Sequence, residues 1–216
     1  MTTRNSIIAS RSVRCRATVL VVASALLLTG CGGDAPGDTG SASPSATTAT
    51  TASATPTPTQ TPVYRPADAS GPAQNVPVPA LPEVAKTETK EGLEAFARYW
   101  FELLSYGYET GDAEPLSAVS SAKCTFCQGL IGNIKTAWAD GKWIAGGQIE
   151  TPAVTAKVPA GEPTDVVLQV LQKELKIYNP DGSLYQEPTA PTNSGSQATA
   201  TFGETGWIVS DLGLIR

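Results

Sequence analysis

The chain has 216 residues, 15 Lys plus Arg against 20 Asp plus Glu, and no histidine, which excludes a Ser-His-Asp triad, a Cys-His pair, imidazole metal ligation and an imidazole pH switch. All four charged residues ahead of Cys31 are arginines, so loss of residues 1–30 takes the formal charge from −5 to −9. A chain that acidic repels nucleic acid and anionic headgroups, and no nucleic-acid partner is expected.

Residues 1–30 have the three parts of an export signal. Arg4, Arg11, Arg14 and Arg16 form a basic start, and residues 17–28 form an apolar run. As a helix that dozen would span about 18 Å against a hydrocarbon core of about 30 Å, too short for a permanent span. The run ends Leu28-Thr29-Gly30-Cys31, which resembles the bacterial lipobox. That resemblance implies a diacylglycerol thioether on Cys31, cleavage before it, and a stable anchor on the outer face of the cytoplasmic membrane.

Residues 32–62 are Gly, Ser, Thr, Ala or Pro except for Asp34, Asp38 and Gln60. They have almost no apolar surface to offset ordering entropy and read as a disordered linker, about 30 Å long as a coil and about 90 Å if stretched. Residues 63–86 read as a Pro-rich lead-in packed on the domain, because Val76, Val78 and Leu81 alternate with prolines and would otherwise stay wet. The remaining residues, 87–216, number about 130, a common size for one domain.

Thr87 or Thr89 can cap a helix whose Leu93, Phe96, Ala97, Trp100, Leu103 and Leu104 share one face, with Glu94, Arg98 and Glu102 spaced to pair on the other. Gly107 and Gly111 are expected to end it. A short helix over 114–120 allows Pro115 in its first turn, and a third over 124–139 has Phe126, Leu130, Ile134 and Ala137 or Trp138 as its buried stripe. Beyond Gly141 the pattern turns to strands near 142–150, 153–158, 165–178, 197–202 and 207–211. Turns fall at 159–163, 179–182 and 203–206, a bend at Gly146-Gly147, and an exposed loop over 188–196. Helices followed by consecutive strands predict an α+β fold with N-terminal helices packed on a bent antiparallel sheet.

That order resembles the cone-like fold of nuclear transport factor 2-like and SnoaL-like domains. Asn75-Val-Pro-Val-Pro79, Glu91-Gly-Leu-Glu-Ala-Phe-Ala-Arg-Tyr-Trp100, Cys124-Thr-Phe-Cys127 and the stretch from Trp143 to Gly146-Gly147 together are similar to a family of uncharacterised actinobacterial lipoproteins built on one domain of unknown function. The resemblance implies a location and a fold, and no activity.

With Cys15 in the signal and Cys31 lipidated, Cys124 and Cys127 are the pair left to the mature chain. In an oxidising compartment they read first as a disulfide, a local staple that the chain-entropy relation puts at about 2 kcal/mol. Thiol-disulfide exchange is the alternative at a helix start, although no βαβ context surrounds the pair. Zinc would find its tetrahedral site half filled, so no metal and no cofactor are expected. A cone-fold enzyme would need a carboxylate and a tyrosine brought together from among Tyr99, Tyr106, Tyr108, Asp112, Glu150 and Glu174, and their spacing joins no two of them; catalytic residues are therefore not assigned. The reading that results is a membrane-anchored extracytoplasmic lipoprotein presenting a small non-catalytic binding or assembly domain to an envelope protein, wall polymer or small molecule. The alternatives are a lipid-tethered thiol oxidoreductase or a cone-fold small-molecule enzyme.

Overall fold

In a computed structural model of the chain, residues 63–157 and 164–215 are described. The signal segment with Leu28, Thr29, Gly30 and Cys31, the linker through residue 62 and the turn at 159–163 lie outside them. Thr89 starts the long helix: its hydroxyl accepts the Gly92 N–H at 3.0 Å, satisfying one donor that a helix start leaves free. Helix α1 runs Lys90–Thr110 and ends on Gly111, whose left-handed φ of 77° lets its N–H return to the Gly107 carbonyl. Gly107 is therefore not a stop. A Cβ there would lie 2.8 Å from Ile134 Cδ1, so it is a point of close helix approach.

Helix α2 (Glu114–Ala118) carries Pro115 in its first turn, and α3 spans Thr125–Ala137. The buried face of α3 differs from the expected stripe. Phe126 is 41% exposed, while Cys127, Ile131 and Ile134 point inward. With Cys127 turned to the core, positions four and seven residues on follow it inward and its neighbour Phe126 is carried out.

The strands are β1 (Trp143–Gly146), β2 (Ile149–Glu150), β3 (Val154–Lys157), β4 (Thr164–Gln172), β5 (Leu175–Tyr178), β6 (Thr192–Gly203) and β7 (Gly206–Ile215), all paired antiparallel. β2 and β3 both pair with β4, β4 pairs with β6, and β6 with β7; β1 and β5 form a separate two-stranded ribbon. The ribbon is the continuation of the β2–β4 pair past a bend. At that bend Gly146 and Gly147 have φ of 79° and 76°, and a Cβ on Gly146 would sit 2.2 Å from the Glu174 carbonyl oxygen. Only glycine allows both the backbone angle and that contact. The α+β arrangement of helices packed on a bent antiparallel sheet is thus as predicted.

One correction concerns 192–196, expected as loop: these residues begin β6, pairing Thr192 through Ser196 with Gln172 through Leu168. β7 likewise runs on to Ile215, and a bulge shifts its register against β6 between Thr199 and Ala200.

α1 lies against the inner face of the sheet. Leu93, Phe96, Ala97 and Trp100 meet Val166, Ala198, Ala200 and Val209, and each large side chain of this set contributes about 1.5–3 kcal/mol by its burial. The opposite side of α1 is polar, but not through the predicted pairing of Glu94, Arg98 and Glu102. Glu94 accepts the Ala156 N–H at 3.0 Å and approaches Lys90 at 3.6 Å, and Arg98 donates to the Thr151 carbonyl, so this face holds the 151–156 segment. Ahead of the helix, residues 65–74 form a small hairpin fixed to the domain by the Trp143 indole N–H on the Asp68 carbonyl at 2.8 Å and by the Tyr64 hydroxyl on Glu109 at 3.0 Å. Among the described residues no helix is long and apolar enough to cross a membrane.

Candidate functional site

Cys124 is the N-cap of α3, and its sulfur accepts the Cys127 N–H at 3.2 Å. The two sulfurs are bonded, with their Cα atoms 5.3 Å apart, and both residues are 0% exposed. Exchange requires a thiolate to reach a sulfur atom, and a buried pair offers none. The bond closes the end of a segment that is itself sheet-paired: Ser121 N–H donates to the Val209 carbonyl at 2.8 Å and Val209 N–H to Val119 at 3.0 Å. It fixes α3 to the strand side of the core.

The six residues from which a cone-fold enzyme would be assembled are scattered. Only Tyr106 and Asp112 meet, at 3.4 Å on the surface, where the other carboxylate oxygen of Asp112 accepts the Glu114 N–H at 3.0 Å. Glu150 pairs with Lys173 at 3.3 Å and Glu174 with Lys176 at 2.7 Å, both well hydrated. Tyr99 stands midway along α1, lining a depression with Phe202 and Trp207. The inner face of the sheet, where such enzymes hold a desolvated carboxylate, is filled by Phe96, Trp100, Val166 and Val209. The remaining void there is about 10 Å³, room for at most one water.

Tyr108 is different. It sits in the last turns of α1, 8% exposed, and burial pushes its phenol up to about 12. Its hydroxyl has no hydrogen-bond partner among the described residues, yet no fully enclosed side-chain polar atom lacks one. The hydroxyl therefore reaches solvent, and the opening that Tyr108 lines is a groove of about 430 Å³ between α3 and the bent β1–β5 ribbon. The Gly146-Gly147 bend creates this groove by folding the ribbon over the C-terminal half of α1.

The floor of the groove is aliphatic: Ile134 from α3, Ile144 from β1, and Leu175 and Ile177 from β5. Its walls are neutral and polar, with Asn133 and Thr136 on α3 facing Gln172, Gln186 and Thr189. Tyr185 forms the lip at 55% exposure. Its N–H bonds to the Ile177 carbonyl at 2.8 Å, and Lys142 Nζ lies 4.9 Å from its ring centroid while also holding Asp140 at 3.2 Å. One face of the ring is thus fixed from below. Among the described residues no Asp, Glu, Lys or Arg lines the groove. It can hold a neutral molecule of small-ligand size by apolar contact and hydrogen bonds, and it presents no general base.

Other depressions include one of about 410 Å³ beside Trp207, one of about 510 Å³ beside Phe126 and one of about 350 Å³ beside Val167, and none contains a buried polar side-chain atom without a partner among the described residues. Sequence reasoning named Tyr108 but had no means of joining it to Asn133, Gln172 or Tyr185. Among the described residues no group of three or more Cys, Asp or Glu is placed to hold a metal.

Residues 62–213 match the model of a family of unknown function, DUF6318. No curated protein matches the chain. Similar solved structures include the intermembrane space region of the chloroplast protein ARC6, with 10% identity, a TM-score of 0.44, and coverage of 59% of this chain and 96% of that one. A domain of unknown function with a cystatin-like fold from Nostoc punctiforme has 15% identity and a TM-score of 0.38, covering 59% and 79%. An uncharacterised protein with a cystatin-like fold from Caulobacter vibrioides has 12% identity and a TM-score of 0.35, covering 56% and 89%. Likenesses at that level describe an outline and carry nothing about activity.

Proposed function

We propose that this chain, which belongs to the DUF6318 family of unknown function, is a lipid-anchored extracytoplasmic protein whose domain binds a partner non-catalytically through the groove between α3 and the β1–β5 ribbon. The observation that carries the binding role is the Tyr108 hydroxyl, buried but unpaired within the domain and open to a groove that has no titrating carboxylate. In the free domain that hydroxyl is hydrated, and a bound molecule would replace the water with a direct hydrogen bond, a net gain of about 0.5–1.5 kcal/mol. The filled sheet interior and the inaccessible Cys124–Cys127 pair favour this role over either enzymatic alternative.

Anchoring rests on residues 1–31: the basic start, the short apolar run and Leu28-Thr29-Gly30-Cys31. The linker then holds the domain clear of the bilayer on the outer face of the cytoplasmic membrane. Mass spectrometry of the membrane-extracted protein should find acyl chains on an N-terminal Cys31, and Cys31→Ala should release the domain from the membrane or leave the precursor uncut. For the binding role, a photo-crosslinking residue at Gln186, in the groove, is compared in intact cells with one at Gln197, outward on β6. The reading requires an adduct specific to position 186. If the two positions capture the same things, the groove is not a binding site.

A further inference from the structure

We infer that the groove takes an uncharged, hydroxyl-rich sugar unit, a reading that rests on the groove being the binding site and adds the class of its ligand. The first support is charge. Among the described residues no ionic side chain lines the groove, so a phosphorylated, acidic or cationic ligand would leave its hydration shell with no counter-charge in the lining. The acidic chain opposes anions further.

The second support is the kind of hydrogen-bonding group present. Asn133, Gln172 and Gln186 bring amides, and Thr136, Thr189 and Tyr108 bring hydroxyls. The amides and the Tyr108 and Thr189 hydroxyls can both donate and accept, while Thr136, whose hydroxyl donates to the Gly132 carbonyl, adds an acceptor; a ring of sugar hydroxyls likewise donates and accepts. A plain acyl chain would strip water from these groups and return nothing, which argues against a lipid tail. The aliphatic floor and the free face of Tyr185 match the C–H face of a pyranose; the other face of the ring is already taken by Lys142.

The third support concerns peptides. A peptide laid in a groove of strands gains its affinity by pairing with an open strand edge. β5 has none. Its Leu175, Ile177 and Tyr178 pair with β1 on one side, while Leu175 and Tyr178 bridge Thr189 and Leu184 on the other. A saccharide needs no strand edge.

The test uses the full chain in lipid nanodiscs and saturation-transfer NMR with uncharged tetrasaccharides of glucose, mannose and N-acetylglucosamine. A uronic acid tetramer and an uncharged tetrapeptide are run beside them. At least one neutral tetrasaccharide should bind and the acidic one should not. Tyr108→Phe, which keeps the ring and the fold, should weaken that binding by about fivefold, the loss of one hydrogen bond. Tyr185→Ala should weaken it by about tenfold or more through lost stacking. Binding that neither variant changes, silence from all three neutral sugars, or binding of the peptide alone would each overturn the sugar assignment. The in-cell adduct at Gln186 is scored separately: its presence alongside silent sugars retains the binding module and removes only this ligand class.

Discussion

Trp100 and Ser120 are joined in the core by an indole N–H that donates to the serine Oγ at 2.9 Å, and the same hydroxyl donates to the Leu116 carbonyl at 2.7 Å. Trp100 is the largest of the fully buried side chains, and its one polar atom has this one partner. Ser120 also bridges to Val209, so the bond couples α1 to the segment that sheet-pairs with β7. Burying a tryptophan this deeply is favourable only while its N–H is satisfied.

Ser120→Ala should therefore lower stability by about 1–3 kcal/mol, the cost of an orphaned buried donor. Urea unfolding followed by tryptophan fluorescence measures it. An unchanged denaturant slope with a lower midpoint is expected, since the surface exposed on unfolding stays the same. A loss below a few tenths of a kcal/mol would mean that the indole finds another acceptor.

The Cys124–Cys127 bond links the first turn of α3, and because both residues are completely buried it is expected to act as a staple and to resist exchange. Under native conditions a thiol-reactive mass tag should label neither, before or after mild dithiothreitol, and both should label after unfolding in reductant. Cys124→Ser combined with Cys127→Ala keeps a capping acceptor at position 124 and avoids a buried hydroxyl at 127. That double variant should lose about 2 kcal/mol, the entropy of the small loop. Fast labelling of the folded chain would reopen the oxidoreductase reading.

Two glycines predict opposite outcomes. At Gly146 a Cβ would meet the Glu174 carbonyl oxygen at 2.2 Å with φ at 79°, so Gly146→Ala should cost about 2–4 kcal/mol and displace the ribbon that walls the groove. At Gly129, on the outer side of α3, an added Cβ meets nothing within 4 Å, so Gly129→Ala should stabilise the domain by about 0.5–1 kcal/mol through helix propensity. Thermal melts of the two variants should move in opposite directions.

What could be read beforehand divides along physical lines. α1 was legible because Leu93, Phe96, Trp100 and Leu104 are large, apolar and helically spaced, and the Gly146-Gly147 bend because adjacent glycines in a strand have few other uses. The start of β6 was not legible. Asn193, Ser194, Gly195 and Ser196 show no apolar alternation, since the inward position at Ser196 is filled by a small hydroxyl and the outer face is solvent. The rotation of α3 turned on which of two adjacent residues, Phe126 or Cys127, faces inward, and hydropathy favours the wrong one. The groove lay beyond reach for a different reason. Its residues come from α1, α3, β1, β4, β5 and the 185–189 segment, and what distinguishes Tyr108 from the other described tyrosines is its burial, a property of the packed chain alone.

The burial of Tyr108 also gives a pH dependence. Burial raises the Tyr108 phenol from 10.0 to about 12 in the folded chain, so the folded state holds its proton where the unfolded state releases it. Below pH 10 both states are protonated and the group has no effect on the slope. As pH rises from about 10 to about 12 the unfolded state binds fewer protons, and stability falls by about 2–3 kcal/mol from this group. Tyr64, Tyr99 and Tyr106 are raised as well, chiefly by partial burial and then by Glu109, Glu102 and Asp112 respectively, and act in the same direction. Tyr108→Phe should make the decline shallower by this group's share when unfolding free energy is measured from pH 9 to 12. Tyrosinate absorbance of the native chain should show one phenol titrating later than the rest. If a ligand occupies the groove through the Tyr108 hydroxyl, its saturation should delay that titration further, because a bound neutral partner stabilises the protonated form.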